Sequence, residues 1–219
     1  MTTTETRTLI AETFITLTQE MPLDKISVAS IVERLNKNRK VFYYYFSSKE
    51  DLIRWVFRSD LAKLLIQGIP PEQLVYESDP KGRFAKYPFY VFMPRDHGTL
   101  DHSRFFYLFS QCIRHRQGFY KVVLSDEGPG SFEDYLFKLY YPQIKKDIIV
   151  LLGEKHLELT RLNFLAEFYT GGIIYLTKAR LNNKVLSQPL VDISPFDNII
   201  HESLSLMFKE NSADLRTHY

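Results

Sequence analysis

The sequence predicts an all-α protein of about nine to ten helices, with a small N-terminal helical unit and a larger helical body. Three observations support this fold class. Apolar residues recur at intervals of three and four over most of the chain, which is the spacing of a buried helix face. Residues that cap helix N-termini precede several of these stretches. The alternation of apolar and polar residues that marks half-buried strands is not sustained.

The composition is typical of a globular protein, with 45% hydrophobic and 25% charged residues in a chain of 219. The single cysteine, Cys112, excludes an intrachain disulfide and gives no support for a thiolate metal cluster. The longest apolar run, Ile148 to Leu152, is too short to span a membrane. The first residues lack the pattern of a signal peptide. We therefore expect a cytoplasmic protein that does not associate with membranes.

Three short helices are predicted at the N-terminus. The first covers Thr6 to Glu20 and ends at a Met-Pro pair. The second runs from Val28 to Leu35, with the Ser27 hydroxyl as its N-cap. A turn at residues 36–38 follows, since Asn tolerates the left-handed backbone that a tight turn needs. The third helix runs from Arg39 to Tyr45.

A fourth helix is predicted to begin at a capping box, formed either by Ser47 with Glu50 or by Ser48 with Asp51, and to end near Gln67. Five of the chain's ten prolines then fall within residues 68–103. Such a proline density excludes one long helix. Because its middle, Tyr87 to Met93, is too apolar for a solvated linker, we expect an irregular or extended stretch that folds onto the body.

The helical pattern returns at Arg104 and is expected to continue to Leu124, with an interruption at Gly118. Later helices are predicted from the Ser131 cap to Leu152, from Leu157 to Leu181, and from a Ser-Pro cap at residues 194–195 to Lys209. Pro142 is expected to kink the first of these.

These elements predict two domains. Residues 1–47 form a helix-turn-helix unit, and residues 48–210 form a helical regulatory and dimerisation domain. Within the second domain, residues 48–67 act as the connector and residues 68–103 form the irregular segment. Residues 211–219 are expected to be a frayed tail.

The N-terminal unit has the charge of a DNA-binding surface. The chain's whole excess of +2 lies within residues 1–67. Five Lys and Arg residues fall between positions 34 and 49 with no acid among them, a cluster of the kind that contacts phosphates. They are Arg34, Lys37, Arg39, Lys40 and Lys49.

Two short helices joined by a three-residue turn are the helix-turn-helix arrangement, whose second helix enters the major groove. Arg39 and Lys40 stand at the start of that helix and are long enough to reach guanine O6 and N7. Phe42 and Phe46 are expected to hold it from the inside. The full set of predicted DNA contacts is Ser27, Asn38, Arg39, Lys40, Val41, Tyr43, Tyr44, Tyr45 and Lys49. The alternative is a small amphipathic bundle with a solvated basic face.

The stretch K-I-S-V-A-S-I-V-E-R followed by F-Y-Y-Y-F-S-S-K-E-D-L resembles the TetR family of bacterial transcriptional regulators. The resemblance covers about Thr6 to Phe57 and implies a homodimer that binds a palindromic operator. Two features depart from the family pattern: Leu35-Asn36-Lys37-Asn38 replaces Ala-Gly-Val-Ser, and Val41 replaces a Thr that commonly contacts DNA. The matching positions are Ser27, Ile31, Tyr43, Tyr45, Phe46, Lys49 and Leu52.

Two downstream stretches are R-H-R-Q-G-F-Y-K-V-V-L-S-D-E-G-P-G-S-F-E-D-Y-L and F-L-A-E-F-Y-T-G-G-I-I-Y-L-T-K-A-R-L-N-N-K. They resemble a TetR subgroup that includes the dihydroxyacetone-kinase operon activators. Relative to that subgroup, residues 68–103 look like an insertion. The helix over residues 157–181 is apolar on more than one face and so needs two partners. We expect one of them to be a second copy of the chain; the alternative is that both faces are buried within one chain. The predicted dimer interface comprises Phe168, Gly171, Gly172, Tyr175, Ile200, Leu204 and Met207.

The aromatic residues of the body have two interpretations, an effector cavity or plain core. If they form a cavity, an apolar or aromatic small molecule is the expected effector. The predicted lining residues are Phe105, Phe106, Phe109, Phe137, Tyr140, Tyr141, Phe164 and Phe168.

The sequence contains none of the phosphate-binding, nucleophile or metal motifs that mark common enzyme classes. Asp96, His97, Asp101 and His102 match no known ligand spacing, so neither a metal nor a cofactor is predicted. We expect a TetR-type repressor that is released from operator DNA by a small-molecule effector. The alternative is a DNA-binding regulator or activator that responds to a protein partner instead.

Overall fold

The computed structural model of the chain describes residues 3–95, 99–153 and 157–182. Within these ranges the protein is built from eight α-helices and two very small sheets, which confirms the all-α fold class. The predicted final helix and tail lie outside the described residues. The helices are α1 (Thr3–Glu20), α2 (Val28–Arg34), α3 (Arg39–Tyr45), α4 (Lys49–Gly68), α5 (Ser103–His115), α6 (Gln117–Val123), α7 (Phe132–Leu152) and α8 (Leu159–Asn182).

The helices α1, α2 and α3 pack together as an N-terminal head. Helix α1 buries Ile10, Phe14 and Leu17, the face that the sequence predicts. Asn36 adopts a φ of 52°, so the chain turns between α2 and α3 through the predicted left-handed residue. Local signals therefore suffice to place both helices of the helix-turn-helix.

Helix α4 joins the head to the body and begins at the second of the two predicted caps. The Ser48 hydroxyl accepts a hydrogen bond from the Asp51 amide at 3.2 Å, and the Asp51 carboxylate accepts one from the Ser47 amide at 2.8 Å. At its other end, a side chain at Gly68 would press against Leu108 of α5, so glycine permits this close approach.

The proline-rich segment, residues 68–103, folds onto the body as predicted. After a single 3-10 turn at Pro71–Gln73, it forms two antiparallel two-stranded sheets, in which Leu74 pairs with Val91 and Pro94 with Leu100. Phe89, Tyr90 and Val91 are buried in the core. The strands are β1 (Leu74–Val75), β2 (Tyr90–Val91), β3 (Pro94–Arg95) and β4 (Thr99–Leu100).

The interruption between α5 and α6 falls at Arg116, and the predicted break at Gly118 is wrong. Arg116 has φ −126° and ψ 46°, whereas Gly118 lies inside α6. The Arg116 guanidinium donates to Glu12 of α1 at 2.6 Å and to Asp60 of α4 at 2.7 Å. The break thus falls at the residue that joins α5 and α6 to both α1 and α4.

Helices α7 and α8 form the long packed pair of the body. Helix α7 starts at the predicted cap, where the Ser131 hydroxyl accepts from the Asp134 amide at 3.2 Å, and it stops at Gly153, whose φ is +58°. Pro142 lies inside this helix, as expected. In the part of the chain that the structure describes, no helix is long and apolar enough to cross a membrane.

Candidate nucleic-acid interface

The surface of α3 combines long basic side chains with tyrosines. Arg39 and Lys40 are exposed at its N-terminal end. Tyr43 and Tyr44 follow on the same side and are 57% and 77% exposed. Each ring meets one neighbouring ring edge-on, Phe42 for Tyr43 and Tyr45 for Tyr44, and otherwise faces solvent, where a partner can reach it. The surface offers charge for phosphates, donors for base edges and rings for stacking or methyl contact.

The inner side of α3 holds the helix rigidly. Phe42 and Phe46 are fully buried, with ring centroids 5.8 Å apart, and Phe46 also meets Trp55 of α4 at 5.7 Å. The structure thus confirms the predicted inward side of the helix. A reading helix needs such support because its side chains must be presented at a fixed orientation to the groove.

Two of the predicted contacts are also structural residues of α3. The Asn38 side chain caps the helix by accepting from the Val41 amide at 3.2 Å. Val41 is half-buried and packs against the core. Its exposed fraction is therefore smaller than that of Arg39, Lys40 or Tyr44, and the predicted contact of Val41 with DNA stays a prediction.

Ser27 is exposed at the start of α2 and forms a reciprocal cap with Ser30. The Ser30 amide donates to the Ser27 hydroxyl at 3.0 Å, and the Ser27 amide donates to the Ser30 hydroxyl at 3.0 Å. The sequence identifies the cap but not this partner, since the common capping box has Glu or Gln where Ser30 stands.

Lys49, at the start of α4, is tied to the head. Its ammonium donates to the carbonyl of Ile26 at 2.7 Å and to that of Leu23 at 3.1 Å. Two of its three N–H donors are thus engaged, and one remains for a phosphate. The predicted phosphate contact stays a prediction, and the lysine also holds α4 against the chain that leads into α2.

Arg34 does not belong to the free basic surface. Its guanidinium forms two hydrogen bonds with the Glu20 carboxylate of α1, at 2.6 and 3.2 Å. This bonding lowers the pKa of Glu20. The sequence does not identify this partner, because Glu20 is fourteen residues away and the adjacent acid is Glu33. The exposed positive charge of the helix-turn-helix is therefore carried by Lys37, Arg39 and Lys40.

Tyr45 is half-buried, and its ring lies 4.9 Å from that of Tyr44 and 5.8 Å from the Arg7 guanidinium of α1. Its backbone carbonyl, at the end of α3, accepts a hydrogen bond from Arg83. Arg83 belongs to the proline-rich segment and was not among the predicted site residues. Sequence reasoning has no signal for this contact, since the two positions are 38 residues apart.

The eight aromatic residues predicted to line an effector pocket are not brought together. Phe105, Phe106, Phe109 and Tyr140 meet in the core, with centroid distances of 5.4 to 6.1 Å between neighbouring rings. The cavity beside them has a volume of about 10 Å³, no more than one water molecule needs. This part of the cluster is packed core.

The other four predicted lining residues lie elsewhere. Phe137 and Tyr141 stack on each other at the half-buried side of α7, at 5.8 Å. Phe164 and Phe168 stand on the outer face of α8, 64% and 61% exposed. Sequence periodicity could not separate these positions because α8 is apolar on more than one face.

The exposed face of α8 carries part of the predicted dimer interface. Phe164, Phe168, Gly171 and Tyr175 are spaced by four, three and four residues and so share one side of the helix. Tyr175 is 68% exposed, and a Cβ added at Gly171 would meet nothing within 4 Å. Gly172 lies beside this stripe and is half-buried. Three of the predicted interface residues lie outside the described residues: Ile200, Leu204 and Met207.

Two of the four metal-type residues of the proline-rich segment, Asp96 and His97, lie outside the described residues. Asp101 accepts hydrogen bonds from the amide and the hydroxyl of Ser103 at the start of α5. The His102 ring stacks on Tyr90 and lies 3.3 Å from the Asp147 carboxylate. Across the described ranges, no group of His, Cys, Asp and Glu is arranged to hold a metal ion.

Comparisons with known proteins agree with this architecture. A family model described as "Bacterial regulatory proteins, tetR family" matches residues 15–56, and one described as "Transcriptional regulator C-terminal region" matches residues 102–201. The HTH-type dhaKLM operon transcriptional activator DhaS of Lactococcus lactis subsp. lactis (strain IL1403) is 37% identical over 60 residues. That alignment covers 27% of this chain and 32% of the activator, about a third of its length.

Among solved structures, "Dihydroxyacetone kinase operon activator DhaS" superposes with a TM-score of 0.53 over 93% of this chain and 96% of that one. At 19% identity this likeness shows a common fold. The two matches cover residues 15–56 and 102–201, which include α2 and α3 of the head and α5 to α8 of the body. The chain belongs to the TetR family of bacterial transcriptional regulators.

Proposed function

We propose that the protein regulates transcription by binding a palindromic operator as a homodimer, with α3 of each copy in the major groove. The observation that carries this proposal is the exposed surface of α3, which pairs Arg39 and Lys40 with two exposed tyrosines on a fully buried phenylalanine support. A solvated basic bundle would have no need of tyrosine rings exposed to 57% and 77%.

Each residue of this surface has a role in the proposal. Arg39 and Lys40 read guanine edges, Tyr44 contacts a thymine methyl, and Tyr43 bonds a phosphate at the groove rim. Lys37, in the turn before α3, adds a phosphate contact. The helix ends that present this surface are shaped by the remaining predicted residues, which are Ser27, Asn38, Val41, Tyr45 and Lys49.

The experiment that tests this function is selection from a library of random DNA duplexes by the full-length chain. We expect enrichment of an inverted repeat whose half-sites lie about one helical turn, roughly 34 Å, apart. Recovery of duplexes whose sequences share no common element would count against the proposal.

The dimer is proposed to form through the exposed stripe of α8. Large apolar rings that are more than 60% exposed on one helix face are costly in water and mark an interaction surface. A two-fold axis that passes through this face would pair the stripe of one protomer with the same stripe of its partner. Gly171 would let the two helices approach closely.

A charge placed on this stripe should dissociate the dimer. We expect Phe168→Asp to sediment as a monomer at micromolar concentration, whereas the unmodified chain sediments as a dimer, since a carboxylate would be buried without a partner. Sedimentation velocity gives both masses, and circular dichroism verifies that the helices remain.

The matched control for this variant is Leu159→Asp. Leu159 lies on the same helix and is 64% exposed, but it stands on the opposite side from the stripe. This variant should remain a dimer. Sedimentation of the unmodified chain as a monomer, or dimers of Phe168→Asp at normal strength, would contradict the proposed interface.

We further propose that the regulator responds to a protein partner and not to an apolar ligand in the aromatic core. Two findings support this second of the two sequence-based interpretations over the repressor released by a small molecule. The rings of Phe105, Phe106, Phe109 and Tyr140 leave a cavity of about 10 Å³. The curated relative is named an operon activator.

Reporter expression decides the direction of regulation. The promoter next to the selected operator, fused to a reporter, should lose activity when the gene for this protein is deleted and regain it on complementation. A rise in expression on deletion would restore the repressor interpretation.

A further inference from the structure

We propose that Arg83 is a positioning residue for DNA reading, through which the proline-rich segment braces the C-terminal end of α3 against the start of α4. The inference rests on the proposed function of α3. It adds a residue from outside the helix-turn-helix to the determinants of operator specificity.

The first contact of Arg83 is with the reading helix itself. Its guanidinium donates to the backbone carbonyl of Tyr45, the last residue of α3. The final carbonyl groups of a helix lack intrahelical partners, and a cation near them is stabilising. Helix α3 has no basic residue in its own last turn. The proline-rich segment therefore supplies the cation that the short reading helix lacks.

The second contact is with the start of α4. The Arg83 guanidinium also bonds to the Asp51 carboxylate, which is buried and completes the cap of α4. The same carboxylate accepts from the amide and the hydroxyl of Ser47, at 2.8 and 2.9 Å. Residues 46–48, between α3 and α4, form what we call the elbow. Arg83 joins the end of α3 to the start of α4 across the elbow, and this bonding fixes the angle between the two helices.

The third contact lies under the elbow. The guanidinium carbon of Arg83 is 5.4 Å from the centroid of the Phe46 ring, within the range of a cation–π interaction. Phe46 is the buried support of α3. The Tyr45 carbonyl, the Asp51 carboxylate and the Phe46 ring therefore converge on one guanidinium group.

The brace is anchored on α4 at a second point. Arg58, fully buried in α4, donates to the carboxylate of Glu77 and to the carbonyl of Tyr87 at 2.7 Å. Its guanidinium lies between the rings of Phe84 and Phe89, at 5.0 and 4.9 Å. Because both sides of Arg83 along the chain are fixed in this way, the arginine is held in place before DNA arrives.

Arg83 is suited to a test because its side chain is 35% exposed, so it lies at the surface and not in the closed core. We would compare the full-length chain with Arg83→Ala and with Lys86→Ala. Lys86 is an exposed lysine of the same segment, so its replacement removes the same charge without touching either helix end.

The first readout needs no DNA. Hydrogen exchange of the amides of Phe46, Ser47, Asp51 and Leu52 reports the elbow, because each of these amides donates a hydrogen bond there. We expect exchange about tenfold faster in Arg83→Ala, as local opening becomes easier, and no change in Lys86→Ala. Unchanged exchange in Arg83→Ala would overturn the brace, whether or not α3 binds DNA.

The second readout is binding to two duplexes: the inverted repeat that the unmodified chain selects and a scrambled duplex of the same composition. Arg83→Ala should lose about tenfold in affinity for the selected duplex, the scale of one charge-assisted hydrogen bond, and little for the scrambled one.

Equal losses on both duplexes would make Arg83 a phosphate contact and overturn the positioning role. A melting temperature lowered far below that of Lys86→Ala would reduce Arg83 to a stability residue and overturn it as well. Failure of the unmodified chain to select any duplex would refute the proposed function, while hydrogen exchange would still decide the brace.

Discussion

Replacing Arg39 and Lys40 together by Ala should reduce affinity for the selected operator to the level of random DNA, a loss of about a thousandfold or more. The two side chains are exposed at the N-terminal end of α3, where a reading helix contacts base edges. Neither contributes to the buried core of the head, so the helices should remain intact. Fluorescence anisotropy on labelled selected and scrambled duplexes measures both affinities.

The control for this double variant is Lys37→Ala, which removes an exposed charge from the turn that precedes α3. A phosphate contact should weaken binding to both duplexes alike and lower the salt dependence by about one counterion. If the double variant still distinguished the selected from the scrambled duplex, base reading would have to be reassigned to residues outside the start of α3.

Arg58→Ala should cost about 3 kcal/mol of unfolding free energy, the lower end for breaking a buried ion pair, because the Glu77 carboxylate is 30% exposed. The guanidinium is fully buried, and its loss leaves the Glu77 carboxylate and the Tyr87 carbonyl without their donor. Domains of this kind have only about 5–15 kcal/mol in total. Urea denaturation at a fixed protein concentration, followed by circular dichroism, gives the difference.

Lys63→Ala provides the comparison on the same helix. Lys63 is 69% exposed and pairs with Asp60 at 3.7 Å, so its loss should change the unfolding free energy by less than about 1 kcal/mol. A cost for Arg58→Ala as small as that for Lys63→Ala would show that the proline-rich segment is not anchored through Arg58.

The elements of the head could be predicted from the sequence because their signals are local. Ser27, Asn36 and Ser48 determine where helices start and turn through bonds to residues within a few positions. The inward and outward sides of α3 follow from its spacing alone, with Phe42 and Phe46 four residues apart. These signals act over one or two turns and do not depend on the rest of the fold.

The contacts of three arginines could not be predicted, because each partner is distant in sequence. Arg58, Arg83 and Arg116 bond to residues 19, 32 and 56 or more positions away. One of them does carry a signal. Arg58 falls in line with Leu61 and Leu65 on the apolar side of α4, where a charge is unexpected unless it has a buried partner.

The aromatic residues of the body show a related limit. Phe109 and Phe168 are both phenylalanines in apolar helical stretches, so the sequence does not distinguish them. In the structure Phe109 is buried and Phe168 is 61% exposed. Periodicity shows that α8 has two apolar faces, but it does not say which one meets α7. Only the packing of α7 against α8 separates core rings from the surface stripe.

Methylation interference on the selected duplex tests most directly whether α3 reads the major groove. Dimethyl sulfate modifies guanine N7 in the major groove and adenine N3 in the minor groove. With Arg39 and Lys40 on guanine edges, N7 methylation within each half-site should abolish binding, and the Arg39→Ala, Lys40→Ala variant should lose this sensitivity. Interference at adenine N3 alone, or at no base in either half-site, would contradict reading by α3.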